Sequence, residues 1–300
     1  MRYSLITASG LLAAVSGHGL VTSVTGANGV TMPGLSVADG TPRDCSTNAC
    51  GSQADTAIIR DREISSGKAT PLGRTQGNGP IDAATMIENF MGGQAAPTNN
   101  GSADSVGVED QIPANAGKRS KFFVRKLGDL LSGLTGKNGG TKSQVAAETS
   151  VAAAAGKGAT SGMPTSADDG SITMTFRQIN QDGAGPMEAA VDGTSGGTQE
   201  DAFKTAEVTQ DVPGSKLLGG LSLATNTDFP LTVQMPAGMT CDASVGGADN
   251  VCVVRVRNQA IAGPFGGAAA FTQSPAARKR ALNYRMKMKR QAEQNRRLRH

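Results

Sequence analysis

Forty glycines, no tryptophan and 3% aromatics in 300 residues speak against a helical bundle and for many short strands joined by Gly/Pro turns. The net charge of +4 hides an asymmetry: residues 278–300 hold ten Lys/Arg and one acid, Glu293, while residues 18–277 hold 18 bases and 24 acids. An acidic body excludes nucleic acid as its partner, and the near absence of Trp and Tyr excludes a binding face paved with sugar-stacking rings.

Residues 1–17 read as a secretory signal peptide. Arg2 gives the positive start, Leu5 to Val15 is a short apolar stretch, and Val15-Ser16-Gly17 offers a cleavage site before His18. That stretch is too short to span a bilayer, and no later one approaches ~18 apolar residues. The expectation is a secreted, extracellular chain with no transmembrane segment.

From His18 onward "LVTSVTGANG" alternates apolar and polar residues and then meets a turn, so it reads as a first strand. "GPIDAATMIENFM" reads as a short helix with Pro80 in its first turn, Asp82 near its positive end, and Ile81, Met86, Ile87, Phe90 and Met91 for a buried face. Residues from about 107 to 170 are rich in small polar residues and read as a flexible insertion. Within it Phe122, Phe123, Leu127, Leu130, Leu131 and Leu134 fit an amphipathic helix. Period two returns in "SITMTFRQI", "DFPLTVQM" and "VCVVRVRN", and "GPFGGAAAFTQ" reads as a Gly-rich turn into a last strand. The fold class is therefore mainly β: an antiparallel β-sandwich over 18–274, one domain, with short helices and long loops. Residues 275–300 form a basic C-terminal tail that opens on a Ser-Pro helix start and is polar nearly all round.

Four cysteines in a secreted chain argue for two disulfides, for which three connectivities exist. The local pairs Cys45–Cys50 and Cys241–Cys252 are favoured, since each closes a short Gly- or Asn-containing loop. Zinc fits less well: neither spacing is that of a zinc site and no histidine is near.

Cleavage before His18 would leave that residue with a free α-amine. The amine and the imidazole Nδ1 can then chelate one ion, and copper(II) suits such nitrogen ligands best. The amine's pKa of ~7.7–8.0 makes its deprotonation cheap near neutrality. Asp182 or Asp44 could add an oxygen ligand. The one other histidine, His300, ends the tail. With a single histidine in the body, a Ser-His-Asp triad is not available, and no carboxylate pair stands out for glycoside hydrolysis. No catalytic residue is assigned; if the chain is an enzyme, it is a copper-dependent oxidase of polysaccharide rather than a hydrolase.

Two resemblances add to these readings. The signal–His–Gly start is similar to that of lytic polysaccharide monooxygenases, secreted copper enzymes on an immunoglobulin-like β-sandwich whose ion sits in a brace of two histidines. What that resemblance implies here is an incomplete brace at His18. Phe265 or Phe271 would stand where those enzymes place an aromatic ring beside copper, and Arg177 where some relatives carry the second histidine before a Gln-x-Asn word. An arginine keeps its proton and cannot ligate copper. The longer words "HGLVTSVTGANGVTMPGLSVADGTPRDCS", "RTQGNGPIDAATMIENFM", "FRQINQDGAGPMEAAVDGTS", "DFPLTVQMPAGMTC" and "NVCVVRVRNQAIAGPFGGAAAFTQ" resemble the fungal appressorial virulence-factor family, the Egh-like and MAS/GAS-type secreted proteins. That resemblance covers about 18–106 and 170–274. It implies an infection-related virulence effector acting at the cell wall or host surface, with cell-wall polysaccharide as an expected partner. The alternative expectation is a copper-binding, monooxygenase-like protein.

Overall fold

The computed structural model describes residues 18–46, 50–93, 95–98, 140–143, 145–181, 183–214, 222, 224–260 and 263–298. The signal peptide, Asp182, His300 and the amphipathic segment around Phe122–Leu134 lie outside the described residues.

Among the described residues the chain is mainly antiparallel β. The strands are β1 (Gly19–Thr25), β2 (Thr31–Pro33), β3 (Ala57–Ile58), β4 (Arg74–Thr75), β5 (Gly79–Pro80), β6 (Thr141–Lys142), β7 (Ser171–Gln178), β8 (Glu188–Asp192), β9 (Phe203–Gln210), β10 (Thr227–Gln234), β11 (Ala243–Val245), β12 (Ala248–Arg257) and β13 (Phe265–Thr272). The helices are α1 (Asp61–Ser65), α2 (Ala83–Met91), α3 (Ser150–Ala154), α4 (Gly158–Ser161) and α5 (Pro275–Arg297). Strand order is β2-β1-β7-β10-β9-β8-β12-β13-β3-β4-β5, with β11 on β12 and β6 on β10. The hinge of this path is β9, which pairs with both β10 and β8. The sheet folds over there, and β1 in one half comes to face β13 in the other.

The alternating words become half-buried strands for the reason read from them. Ile172, Met174 and Phe176 of β7, and Phe229, Leu231 and Val233 of β10, point into one shared core. β12 differs, because both of its faces are covered. Val254 and Val256 lie in the core, and Arg255 on the other face is also buried. Its guanidinium forks onto the Glu200 carboxylate at 2.6 and 2.9 Å and lies 4.4 Å above the Phe203 ring.

β13 is a strand of small residues, and this decides how close the two halves come. A Cβ on Gly267 would lie 2.6 Å from Val21 N and 3.0 Å from Val21 Cβ in β1. The loop after β2 also reaches β13, where Leu35 N donates to Ala268 O at 2.9 Å. Two disulfides close local loops, Cys45–Cys50 and Cys241–Cys252. The second ties β12 to the segment just before β11.

Helix α2 begins at Ala83, with Asp82 as N-cap accepting from Ala84 N at 3.0 Å. Pro80 is therefore not in the first helical turn; it belongs to β5, paired with Arg74. Met86, Ile87 and Phe90 form the buried face, and Met91 is half-buried. The later part of the expected insertion is built into the fold: β6 pairs with β10, and α3 and α4 pack on α2. The start of α3 is held by acids from two places. Asp39 accepts from Val151 N and Ala152 N, and Glu148 accepts from Thr149 N and Ser150 N.

Glu148 also belongs to a buried ion cluster. Arg43, 2% exposed, forks onto Asp55 and donates from Nε to Glu148 Oε2 at 2.9 Å. Asp55 in turn accepts from Ala38 N. Burial alone would push the Glu148 carboxyl up, but the Arg43 charge and the Ser150 donors outweigh it and hold it below 4.5. Asp192, capping the 194–197 turn, is likewise held below its ordinary 3.8 against the effect of its burial. Burial shifts Asp211 the other way. A depressed carboxyl stabilises the fold above its unfolded pKa, and that contribution is lost as pH falls through the folded value. Thermal unfolding followed from pH 7 to 2.5 should therefore show a plateau above about pH 5 and a falling midpoint below it. Glu148→Gln should lower the plateau and make the acid limb shallower. A midpoint unchanged down to pH 2.5 would contradict this assignment.

Candidate functional site around His18

His18 lies at the entrance to β1 and is buried. Its carbonyl accepts from Ile179 N at 3.0 Å, just past the end of β7, and its main-chain N donates to Asn180 Oδ1 at 2.7 Å. The next residue has to be glycine: a Cβ on Gly19 would lie 2.5 Å from the Phe176 ring and 2.8 Å from Gly183 O. Gly183 is constrained in the same way, since a Cβ there would come within 2.0 Å of His18 O. The His-Gly pair thus has a packing reason independent of any metal.

The His18 ring packs on Phe265, with centroids 4.3 Å apart and planes tilted by 31°. Phe265 belongs to a small buried cluster with Ile58 and Ala260, separate from the main core. Asn258 holds it in place. Asn258 N donates to Phe265 O at 2.9 Å, and the Asn258 side-chain oxygen accepts from Phe265 N at 3.0 Å and Ala260 N at 3.2 Å. The Asn258 amide reaches back to Ala184 O at 3.4 Å, in the loop that presses on His18.

Of the two phenylalanines considered beside an ion, it is Phe265 that meets His18; Phe271 pairs with Cys252 inside the main core. Arg177 sits opposite Leu20 of β1 and Asp228 of β10. Its Nε and Nη2 donate to the two Asp228 oxygens at 2.8 and 2.9 Å, a cross-strand pair that commits the guanidinium. Asp44 is exposed. Asn180 and Asn258, which position the histidine and its aromatic neighbour, escaped the sequence reading. The Gln-x-Asn word does contain Asn180, but asparagine near a strand end most often signals a turn.

Copper needs a donor set. His18 would supply its imidazole and, after cleavage, its amine. Among the described residues no group of three or more His, Cys, Asp and Glu is placed to hold an ion. The fit among the described residues is therefore partial: two nitrogens from one residue, an aromatic ring beside them, and no second imidazole there.

Two open clefts lie elsewhere on the surface. One, of about 700 Å³, runs over β8, β9 and β12 and is lined by Glu188, Glu200, Phe203, Thr205 and Arg257 among others. The second, of about 480 Å³, lies beside the root of α5 and includes Thr194, Gln199, Asp201, Lys204, Thr240 and Arg285.

Comparison with known proteins places the chain in a family. The sequence profile of the Egh16-like virulence factors matches residues 16–266. The chain belongs to the Egh16-like virulence factor family. The appressoria-specific virulence factor GAS2 of Pyricularia oryzae (strain 70-15) is 54% identical over 276 residues, which covers 92% of this chain and 90% of the relative. The appressoria-specific virulence factor GAS1 of the same strain is 39% identical over 126 residues, 40% of this chain and 47% of the relative. No solved structure matches the chain at a significant level. No described helix is long and apolar enough to cross a membrane.

If Asn258 positions the Phe265–His18 contact, Asn258→Ala should strand the buried Phe265 and Ala260 amides and lower stability by about 1–3 kcal/mol. Nuclear Overhauser contacts between the His18 and Phe265 rings should weaken in the same variant. Parent-like stability and unchanged ring contacts would remove that role.

Proposed function

We propose that this protein is a secreted, infection-related virulence effector that acts at the cell wall or host surface, where it binds polysaccharide. One observation carries the reading: 54% identity with GAS2 over nine-tenths of both chains, within a family whose profile spans residues 16–266, both disulfides and His18 included. The architecture supports an extracellular role. Its disulfides suit an oxidising compartment, and its open, mainly polar cleft over β8, β9 and β12 suits a hydroxyl-rich ligand better than an apolar one.

A second reading is copper binding at His18 after cleavage, as in the monooxygenases that the start of the chain resembles. The Phe265 ring against His18 favours it. When bound, the ion would supply one-electron oxygen chemistry; the chain's own residues hold the imidazole and fix its main chain through Asn180.

The two readings separate in one set of measurements on the protein secreted by a fungal host. The first predicts retention on insoluble chitin or cellulose with or without metal, and absence of retention on every wall polymer would end it. The second requires that amino-terminal sequencing begin at His18 and that copper(II) titration give a nitrogen-coupled spin-resonance signal lost in His18→Ala. A chain that begins elsewhere, or a variant that binds copper equally well, would end the second.

A further inference from the structure

The C-terminal helix α5 is built into the body at one end and leaves it at the other. Ser274 caps it, accepting from Ala277 N at 3.1 Å and donating to Asp168 at 2.8 Å, while Ala277 and Ala281 are buried. Arg278 donates to Cys241 O at 2.8 Å and to Asp242 at 2.9 Å, and Arg285 Nε donates to Gly238 O. Every described residue from Leu282 onward is exposed. At 1.5 Å per residue the 23 residues of α5 span about 34 Å, so roughly half of that length stands in solvent.

Nine of the 23 residues are Lys or Arg and one is acidic. Beyond the anchored part the cations are Lys287, Lys289, Arg290, Arg296 and Arg297. Stepping at ~100° per residue, all five fall within one half of the helix circumference, and the other half carries Met288, Gln291, Ala292, Asn295 and Leu298. A flat anionic bilayer needs more than that, a continuous apolar stripe between flanking cations, and here Gln291 and Asn295 interrupt the uncharged half. A row of cations along one side of a projecting helix, with no apolar stripe beside it, instead matches a linear polyanion laid along that side.

The root of the same helix adds the features of a sugar site. Arg285 lines the 480 Å³ cleft together with Lys204, Gln199 and Thr194, with the acid Asp201 also in its lining. Tyr284 is the one exposed large aromatic among the described residues, and it packs beside Gly238 at the edge of this cleft. Hydroxyl-bonding side chains, two cations and a single aromatic ring converge where the cationic arm begins.

We infer that the α5 root cleft and the projecting arm together bind an acidic polysaccharide, a linear polyuronate whose carboxylates pair with Lys204, Arg285 and the distal cations. The inference rests on the polysaccharide-binding reading above and names its ligand class. The family profile ends at residue 266, before α5, so the family assignment by itself says nothing of the arm.

The test is binding of the full-length secreted protein to polygalacturonate. The parent should bind, with affinity falling as NaCl rises from about 50 to 500 mM. The full chain carrying Lys287→Gln, Lys289→Gln, Arg290→Gln, Arg296→Gln and Arg297→Gln should lose about tenfold or more in affinity and show a flatter salt dependence. Those side chains are exposed and hold nothing in the body, so the variant should keep the parent's unfolding midpoint. Lys204→Gln should cost a further few-fold, and methyl-esterified polygalacturonate should not bind. Equal affinity of parent and fivefold variant, or equal binding of the esterified polymer, would overturn the inference. So would tighter binding to phosphatidylserine vesicles or single-stranded DNA than to polygalacturonate. Retention on chitin or cellulose without polygalacturonate binding would overturn the acidic-ligand inference alone, whereas no retention on any polymer would overturn the wider reading with it.

Discussion

The structure depends on how closely β13 can approach β1. Two sheet halves normally pack about 10 Å apart, a gap filled by interleaved side chains. Here β13 presents Gly267 to Val21, and even a methyl group at that position would collide with the β1 backbone. The run Gly266-Gly267-Ala268-Ala269-Ala270 gives up the burial that larger side chains would add. It gains direct backbone contact between first and last strands, which stand 240 residues apart in the chain. Phe265 at the head of the run then falls against His18 at the head of β1. The candidate site is a consequence of that approach rather than a separate construction.

The chemistry divides along the same line. Near His18 the groups are fixed: main chain on Asn180, ring on Phe265, Phe265 on Asn258, and Arg177 tied to Asp228. Such a site suits a role that needs a rigid start to the first strand, with or without an ion. At the far end of the last helix the opposite holds. Cations stand in solvent beyond the last contact with the body, where long-range attraction and salt screening govern encounter.

Much of this was legible in the sequence where side-chain period and burial agree. Ile172, Met174 and Phe176, or Phe229, Leu231 and Val233, declare their inward face by alternation alone. The Ser-Pro word marked the start of α5, and its capping confirms the physical reason. Where one residue type serves two purposes the reading slipped. Pro80, a good first-turn residue, sits instead in a two-residue strand because Asp82 is the better cap. The Arg43–Asp55–Glu148 cluster was invisible because its members come from three loops separated by up to 105 residues. Residues 140–170 read as loose because their composition is small and polar. They fold because Asp39 and Glu148, neither a sequence neighbour of α2, satisfy the start of α3 while that helix packs on α2. Asn180 and Asn258 act through geometry that no local spacing encodes.

Urea unfolding of Gly267→Ala beside Gly93→Ala is the most direct measurement of the central claim. Gly93 is exposed, and a Cβ there would meet nothing closer than 3.6 Å. The close approach of β13 to β1 requires that Gly267→Ala lower stability by about 1–3 kcal/mol through overpacking, while Gly93→Ala stays within about 0.5 kcal/mol of the parent. A Gly267→Ala protein as stable as the parent would mean that the two strands are not held in contact, and the placement of Phe265 on His18 would lose its foundation.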